Sequence, residues 1–188
     1  PYKHNTIVVL WSDHGFHMGE KDRFQKHTAW DRSTKVPMII MDPRKGPTQG
    51  PTEPIETNVE LIDIYPTLLE LCGLPENNVV EGRSLVPLIE NPELEWEYPA
   101  YTFRREKYAT VKYGTYRFIE YFDGSRELYD HANDPNEWDN LADDDVHKVI
   151  IEEMYGLLQE PDVVLGYEES KPRIEAENTS KVLPQHKD

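Results

Sequence analysis

The chain has 188 residues, 37% hydrophobic and 30% charged, enough for one ordinary domain or one and a half small ones and less polar than outright disorder. Its net charge of −16 disfavours a general binder of nucleic acid or anionic membrane, though not a local basic pocket for an anion. No run approaches the roughly eighteen apolar residues of a membrane span, no basic-then-apolar leader opens the chain, and the single Cys72 cannot form an intrachain disulfide.

A chain that opens at Pro1, a few residues before a strand, reads as a fragment or a processed product. Residues 6–11 (TIVVLW) lack polar alternation and predict a short strand buried on both faces, as in a parallel sheet flanked by helices. A long charged loop follows Gly15, and residues 29–35 suit one or two helical turns. Residues 36–41 (VPMIIM) form a second apolar run, whose Pro37 places it at an edge or at the strand's first residues. Six prolines and glycines between Asp42 and Glu56 exclude regular structure.

Residues 59–72 carry two apolar stripes at helical spacing and predict a largely buried helix. Gly73 and Pro75 stop it, and Pro66 must lie near its start or kink it. Residues 84–89 predict a small helical piece pinned to the core. After Pro92 the chain turns aromatic and β-branched at residues 98–104, 108–112, 116–122 and 126–129, a small antiparallel meander with a hairpin turn at Asp123-Gly124. Residues 146–158 predict an amphipathic helix across that meander, with the acidic residues 143–145 suiting its N-terminal dipole. The polar tail, residues 159–188, reads as lying against a surface.

The organisation expected is therefore residues 1–92 as the end of a larger α/β unit, 93–158 as a small antiparallel subdomain with a packed helix, and the tail. In open α/β sheets ligands sit at the carboxyl ends of strands, which is where Asp13 and His14 stand. A carboxylate and an imidazole side by side make half of a metal site. Read by residue type alone, Asp13 could equally make a turn and His14 bond backbone, Lys26 could be a solvated cation, and His17 and His27 could be loop or core residues.

A resemblance goes further. DHGFHMGE (residues 13–20), with Phe24, Lys26 and Trp30-Asp31 after it, resembles the metal and sulfate loop of sulfatases in the alkaline phosphatase superfamily. VELIDIYPTLLELCGLP (59–75), EGRSLVPLI (81–89) and YRFIEYFDGSRELYDHANDPNEWDNLA (116–142) are similar to later segments of the bacterial iduronate-2-sulfatase-like branch, in the same order. The resemblance implies the C-terminal part of an alkaline-phosphatase-like α/β sandwich. It implies that Asp13 and His14 help to hold a divalent cation, calcium, and that Lys26 binds the transferred sulfate. It also implies a periplasmic or secreted enzyme acting on a sulfated sugar.

No C/S-x-P-x-R motif, the source of the formylglycine nucleophile in such enzymes, occurs in the chain, and Cys72, in CGLPE, reads as a buried helix residue. The nucleophile and the remaining metal ligands are expected on an N-terminal segment or partner chain. Arg104 and Arg105, in a basic and aromatic stretch, and His17 and His27, beside the cation and sulfate sites, are candidate sugar contacts; the basic stretch also reads as a guarded strand edge. Two other functions are open. One is a phosphodiesterase or phosphonate hydrolase of the same superfamily; the other is a noncatalytic module.

Overall fold

The computed structural model describes residues 2, 4–45, 54–104 and 107–159. Arg105 and residues 160–188, almost all of the expected tail, lie outside the described residues.

The structure is a mixture of helices and antiparallel sheets. Strand β1 (Val8–Trp11) pairs with β2 (Met38–Met41), so that Val8 faces Met41 and Leu10 faces Ile39. The pair is antiparallel, not part of the parallel arrangement that the apolar run predicts. Between the strands the chain passes through the charged loop and the short helix α1 (Asp31–Thr34), then returns alongside β1 in the opposite sense. Nor is the run buried on both faces: Val8, Leu10, Ile39 and Met41 are each about half exposed. An apolar strand records that its faces favour burial; it does not record which segment covers them.

The helical stretch at 59–72 divides into a 3-10 turn, Leu61–Asp63, and α2 (Ile64–Leu71). Pro66 sits in the first turn of α2, where its missing N–H has no intrahelical partner to lose, and Gly73 ends the helix at φ 64°. Ile64, Thr67 and Leu71 face inward, whereas Ile62 and Tyr65 face solvent. Cys72 is exposed, not the buried residue expected, because the helix presents Leu71 to the core and closes one residue later. Helix α3 (Val86–Glu90) buries Val86 and Leu88 against α2.

Asp63 is buried and organises this region: its carboxylate accepts from the N–H groups of Glu60, at 2.8 Å, and Arg83, at 2.7 Å. Glu60 lies beside it and accepts from Tyr101 N–H at 2.8 Å. Burial first, and Asp63 in addition, push the Glu60 carboxyl up to about 7, against that hydrogen bond. A carboxyl raised on folding holds its proton more tightly in the folded chain, so stability falls as pH rises from about 4.3 to 7. Glu60→Gln is expected to flatten that part of the profile; thermal midpoints from pH 4 to pH 8 would show it, and an unchanged slope would refute it.

The meander has four strands in chain order, β3 (Ala100–Arg104), β4 (Tyr108–Tyr113), β5 (Tyr116–Tyr121) and β6 (Arg126–Asp130), all antiparallel. The turn between β5 and β6 uses Gly124 at φ 84°, with the Asp123 carboxylate accepting from Ser125 N–H and O–H. Helix α4 (Lys148–Leu158) lies across β4 and β5, and Asp144 caps the turn before it through Val146 N–H. Val111, Phe118, Leu128, Met154 and Leu158 make the core between them. The opposite face of the sheet, through Tyr108, Ile119 and Tyr129, packs on Ala29 and Trp30. The segment that follows Lys26 therefore lies on the back of the meander.

Candidate active site

Three of the residues singled out in the sequence meet at the end of β1. His14 Nε2 lies 2.8 Å from Lys26 Nζ and 3.4 Å from Asp13 Oδ2. His14 Nδ1 lies 2.8 Å from the carbonyl of Gly15, which can only accept, so the ring proton sits on Nδ1 and Nε2 keeps its lone pair. The Asp13 side chain is 81% exposed. An exposed carboxylate and an imidazole lone pair, this close and turned to the same side, fit two ligands of one divalent cation. Lys26 adds a half-buried ammonium.

Gly15 explains why His14 stands there. Its N–H donates to Ser33 O at 2.9 Å, and a Cβ built on it would lie 2.0 Å from Arg32 O. The backbone at 15 thus presses directly on α1, where only glycine fits. Gly15→Ala is expected to destabilise the protein by about 1–3 kcal/mol, as overpacked interiors do, and to displace His14. A denaturant midpoint equal to that of the unsubstituted protein would refute this.

His17 is placed differently from the sugar contact expected of it. It is fully buried, with Nε2 2.8 Å from Thr28 Oγ1 and Nδ1 3.2 Å from Glu20 O, and Thr28 Oγ1 is 2.8 Å from Ser33 Oγ. With both nitrogens engaged it ties the loop to α1 and presents no free atom to a ligand. His27 is exposed and lines a cavity of about 520 Å³ with Arg23, Lys107, Trp30, Tyr108 and Tyr121. Arg104 donates to the carbonyl of His27 at 2.9 Å, which places both at one end of the meander.

The residues that sequence reasoning missed as a group lie behind Lys26. Asp31 Oδ1 is 2.5 Å from Arg117 Nη2 and 3.6 Å from Lys112 Nζ. Glu137 Oε1 is 3.0 Å from Arg117 Nε, which is not aimed at it, and 2.9 Å from His131 Nε2; Glu137 Oε2 accepts from Asp31 N–H at 2.9 Å. His131 Nδ1 in turn contacts Lys112 Nζ. Glu137 reaches this position from a left-handed backbone, φ 58°, although it is not glycine. Burial pushes the Asp31 carboxyl up, but Arg117, then Lys112 and His131, outweigh it and hold it below the ordinary carboxylate value. Burial likewise pushes the Lys112 ammonium down to about 8, with Asp31 opposing. Asp31, His131 and Glu137 have a metal-like spacing, but Arg117 and Lys112 already neutralise them, so the group is an ion-pair cluster. No local signal in the sequence joins them, and Trp30-Asp31 and DPNEW entered only as parts of motifs.

The family described as N-sulphoglucosamine sulphohydrolase, C-terminal, matches residues 19–163. That match takes in Lys26 and the ion-pair cluster and begins after Asp13 and His14. A protein of Formosa agariphila named "Sulfatase" is 44% identical over 159 residues, which is 84% of this chain and 30% of that protein. A structure described as that of "a 2-O GAG sulfatase" superposes with a TM-score of 0.73 at 28% identity, over 88% of this chain and 37% of the other. The phosphonate monoester hydrolase of Agrobacterium radiobacter superposes with a TM-score of 0.71 at 25% identity, over 87% and 36%. The chain spans about a third of the length of these relatives.

Proposed function

The chain belongs to the sulfatases of the alkaline phosphatase superfamily, as their C-terminal part, and we propose that it completes an enzyme hydrolysing sulfate esters of a sulfated saccharide. The observation that carries this reading is the convergence of Asp13, His14 and Lys26 at the end of β1. A sulfate ester resists attack because its anionic oxygens repel a nucleophile. Lys26 offers those oxygens a fixed positive charge, whose attraction strengthens as negative charge builds on them in the transition state. His14, with its tautomer set by the Gly15 carbonyl, offers Nε2 to either the cation or the Lys26 ammonium. Asp13 and His14 would hold a divalent cation, calcium by the resemblance, which would draw further charge from the sulfate. The nucleophile, a formylglycine by the same resemblance, would come from a preceding segment. The half-exposed apolar face of Val8, Leu10, Ile39 and Met41 supports such a partner, since it is the kind of surface that another sheet or helix layer covers.

Sulfated saccharide is the substrate class because a relative is named for 2-O GAG sulfatase activity and because Arg23 and Lys107 line a cavity with His27, aromatic rings, Asp123 and Glu127, with Arg104 bonded to the His27 carbonyl. The second reading, phosphonate hydrolysis, rests on the superposition with the Agrobacterium enzyme. The full-length enzyme is to be assayed with an aryl sulfate, sulfated oligosaccharides and an aryl phosphonate monoester. Sulfate release exceeding phosphonate cleavage is the expected result; phosphonate cleavage alone would overturn it.

A further inference from the structure

The segment that follows Lys26 has no regular structure until α1, yet its backbone is held group by group. His27 O accepts from Arg104 Nη1 at 2.9 Å, Thr28 O from the Tyr108 hydroxyl at 2.8 Å, and Ala29 O from Arg117 Nη1 at 3.2 Å. The Trp30 indole N–H donates to Glu127 at 2.6 Å, and Asp31 N–H donates to Glu137. The four side chains that bond residues 27–30 come one each from β3, β4, β5 and β6, in the order of the residues they hold. Thr28 N–H also donates to Lys26 O at 2.9 Å, so the second anchored residue is bonded to the backbone of Lys26. Tyr108 and Arg117 are almost fully buried, and Glu127 is fixed in turn by the Tyr129 hydroxyl at 2.9 Å.

A buried carbonyl needs a donor, and a turn of the segment's own backbone would supply one. Here the buried carbonyls of Thr28 and Ala29, and the exposed one of His27, are instead met by side chains of one sheet. We propose that the meander is a template that sets the position of the Lys26 ammonium, with Tyr108 and Arg117 as positioning residues that act through Lys26. The kinetic part of this rests on the sulfatase reading above; the structural part does not. A displacement of about 1 Å at a reacting group can cost on the order of a hundredfold in rate, so loss of one anchor is felt at the site without contact with the substrate.

The test is a double-mutant cycle in the full-length enzyme, with an aryl sulfate as substrate. Tyr108→Phe removes only the hydroxyl that holds Thr28 O and keeps the ring. It is expected to lower kcat about tenfold with KM for the aryl sulfate nearly unchanged, and to lower the melting temperature modestly because Thr28 O loses its donor. In a Lys26→Ala background the same substitution is expected to have almost no further effect, because the group it positions is gone. An equal fold-loss in both backgrounds, or no loss in either, would overturn the template, since a general folding defect lowers both alike. Hydrogen exchange across residues 26–31 gives a readout independent of the reaction, and faster exchange in Tyr108→Phe and in Arg117→Lys is expected. If the unsubstituted enzyme releases no sulfate, the functional reading fails, and the exchange measurement alone decides the template: unchanged protection in both variants would overturn it.

Discussion

Lys26→Ala in the full-length enzyme is expected to lower kcat/KM for a sulfate ester by on the order of a hundredfold or more, the loss seen when a preorganised charge-stabilising donor is removed. Lys26 is half-buried and its ammonium points at His14 Nε2, 2.8 Å away, so its removal subtracts a charge at the site and little packing. The melting temperature is therefore expected to stay close to that of the unsubstituted enzyme. Lys26→Arg is not expected to restore the rate, because a planar guanidinium does not place its charge where a point ammonium did. Steady-state kinetics on the purified, folded variant checks this, and turnover near that of the unsubstituted enzyme would remove Lys26 from the chemistry.

Arg117→Met is expected to destabilise the protein by about 3–5 kcal/mol, because it removes the main cation facing two buried carboxylates. Arg117 and Glu137 are 5% and 2% exposed at their side chains, so water cannot replace the lost partner. Removing a carboxylate along with the cation, as in Arg117→Met/Glu137→Met, is expected to recover part of that loss. The loss also depends on pH, with a sign that can be worked out. In the unsubstituted protein Arg117 holds the Asp31 carboxyl low, so its contribution is fully present above about pH 4 and disappears as pH falls through the lower folded value. Without Arg117 the largest opposition to burial is gone and only Lys112 and His131 remain against it, so less stability is gained as the carboxyl ionises with rising pH. The gap between the two proteins is therefore expected to be small near pH 3 and to widen toward pH 7. Denaturant titrations at several pH values measure it, and a loss under about 1 kcal/mol throughout would mean the cluster is solvated.

The four strands of the meander, the turn at Asp123-Gly124, the helix at Lys148–Leu158 and the breaks at Pro66 and Gly73 follow from local rules: alternation, β-branching, a residue that tolerates positive φ, and a ring that cannot donate. Asp13 and His14 could be placed at a strand end from adjacent residues alone, whereas Lys26 was singled out only by the resemblance to the sulfatase loop.

What lay beyond reach was pairing across distance. Whether residues 6–11 would be covered, and in which sense β2 would run beside them, depends on segments that an apolar run does not specify. The exposure of Cys72 turns on a single residue of helix phase at the end of α2. His17, which by residue type could be a loop or core residue and was also a candidate sugar contact, is placed inside by Thr28, Trp30 and Ser33. The cluster of Asp31, Lys112, Arg117, His131 and Glu137 joins residues up to 106 positions apart. By itself, then, the sequence determined the local elements and the place of Asp13 and His14 at the end of a strand, while Lys26 was singled out only by the resemblance. The tertiary structure alone decided which charges are buried together and what holds Lys26 in place, because Coulomb attraction and desolvation depend on separation in space, and separation along the chain carries no record of it.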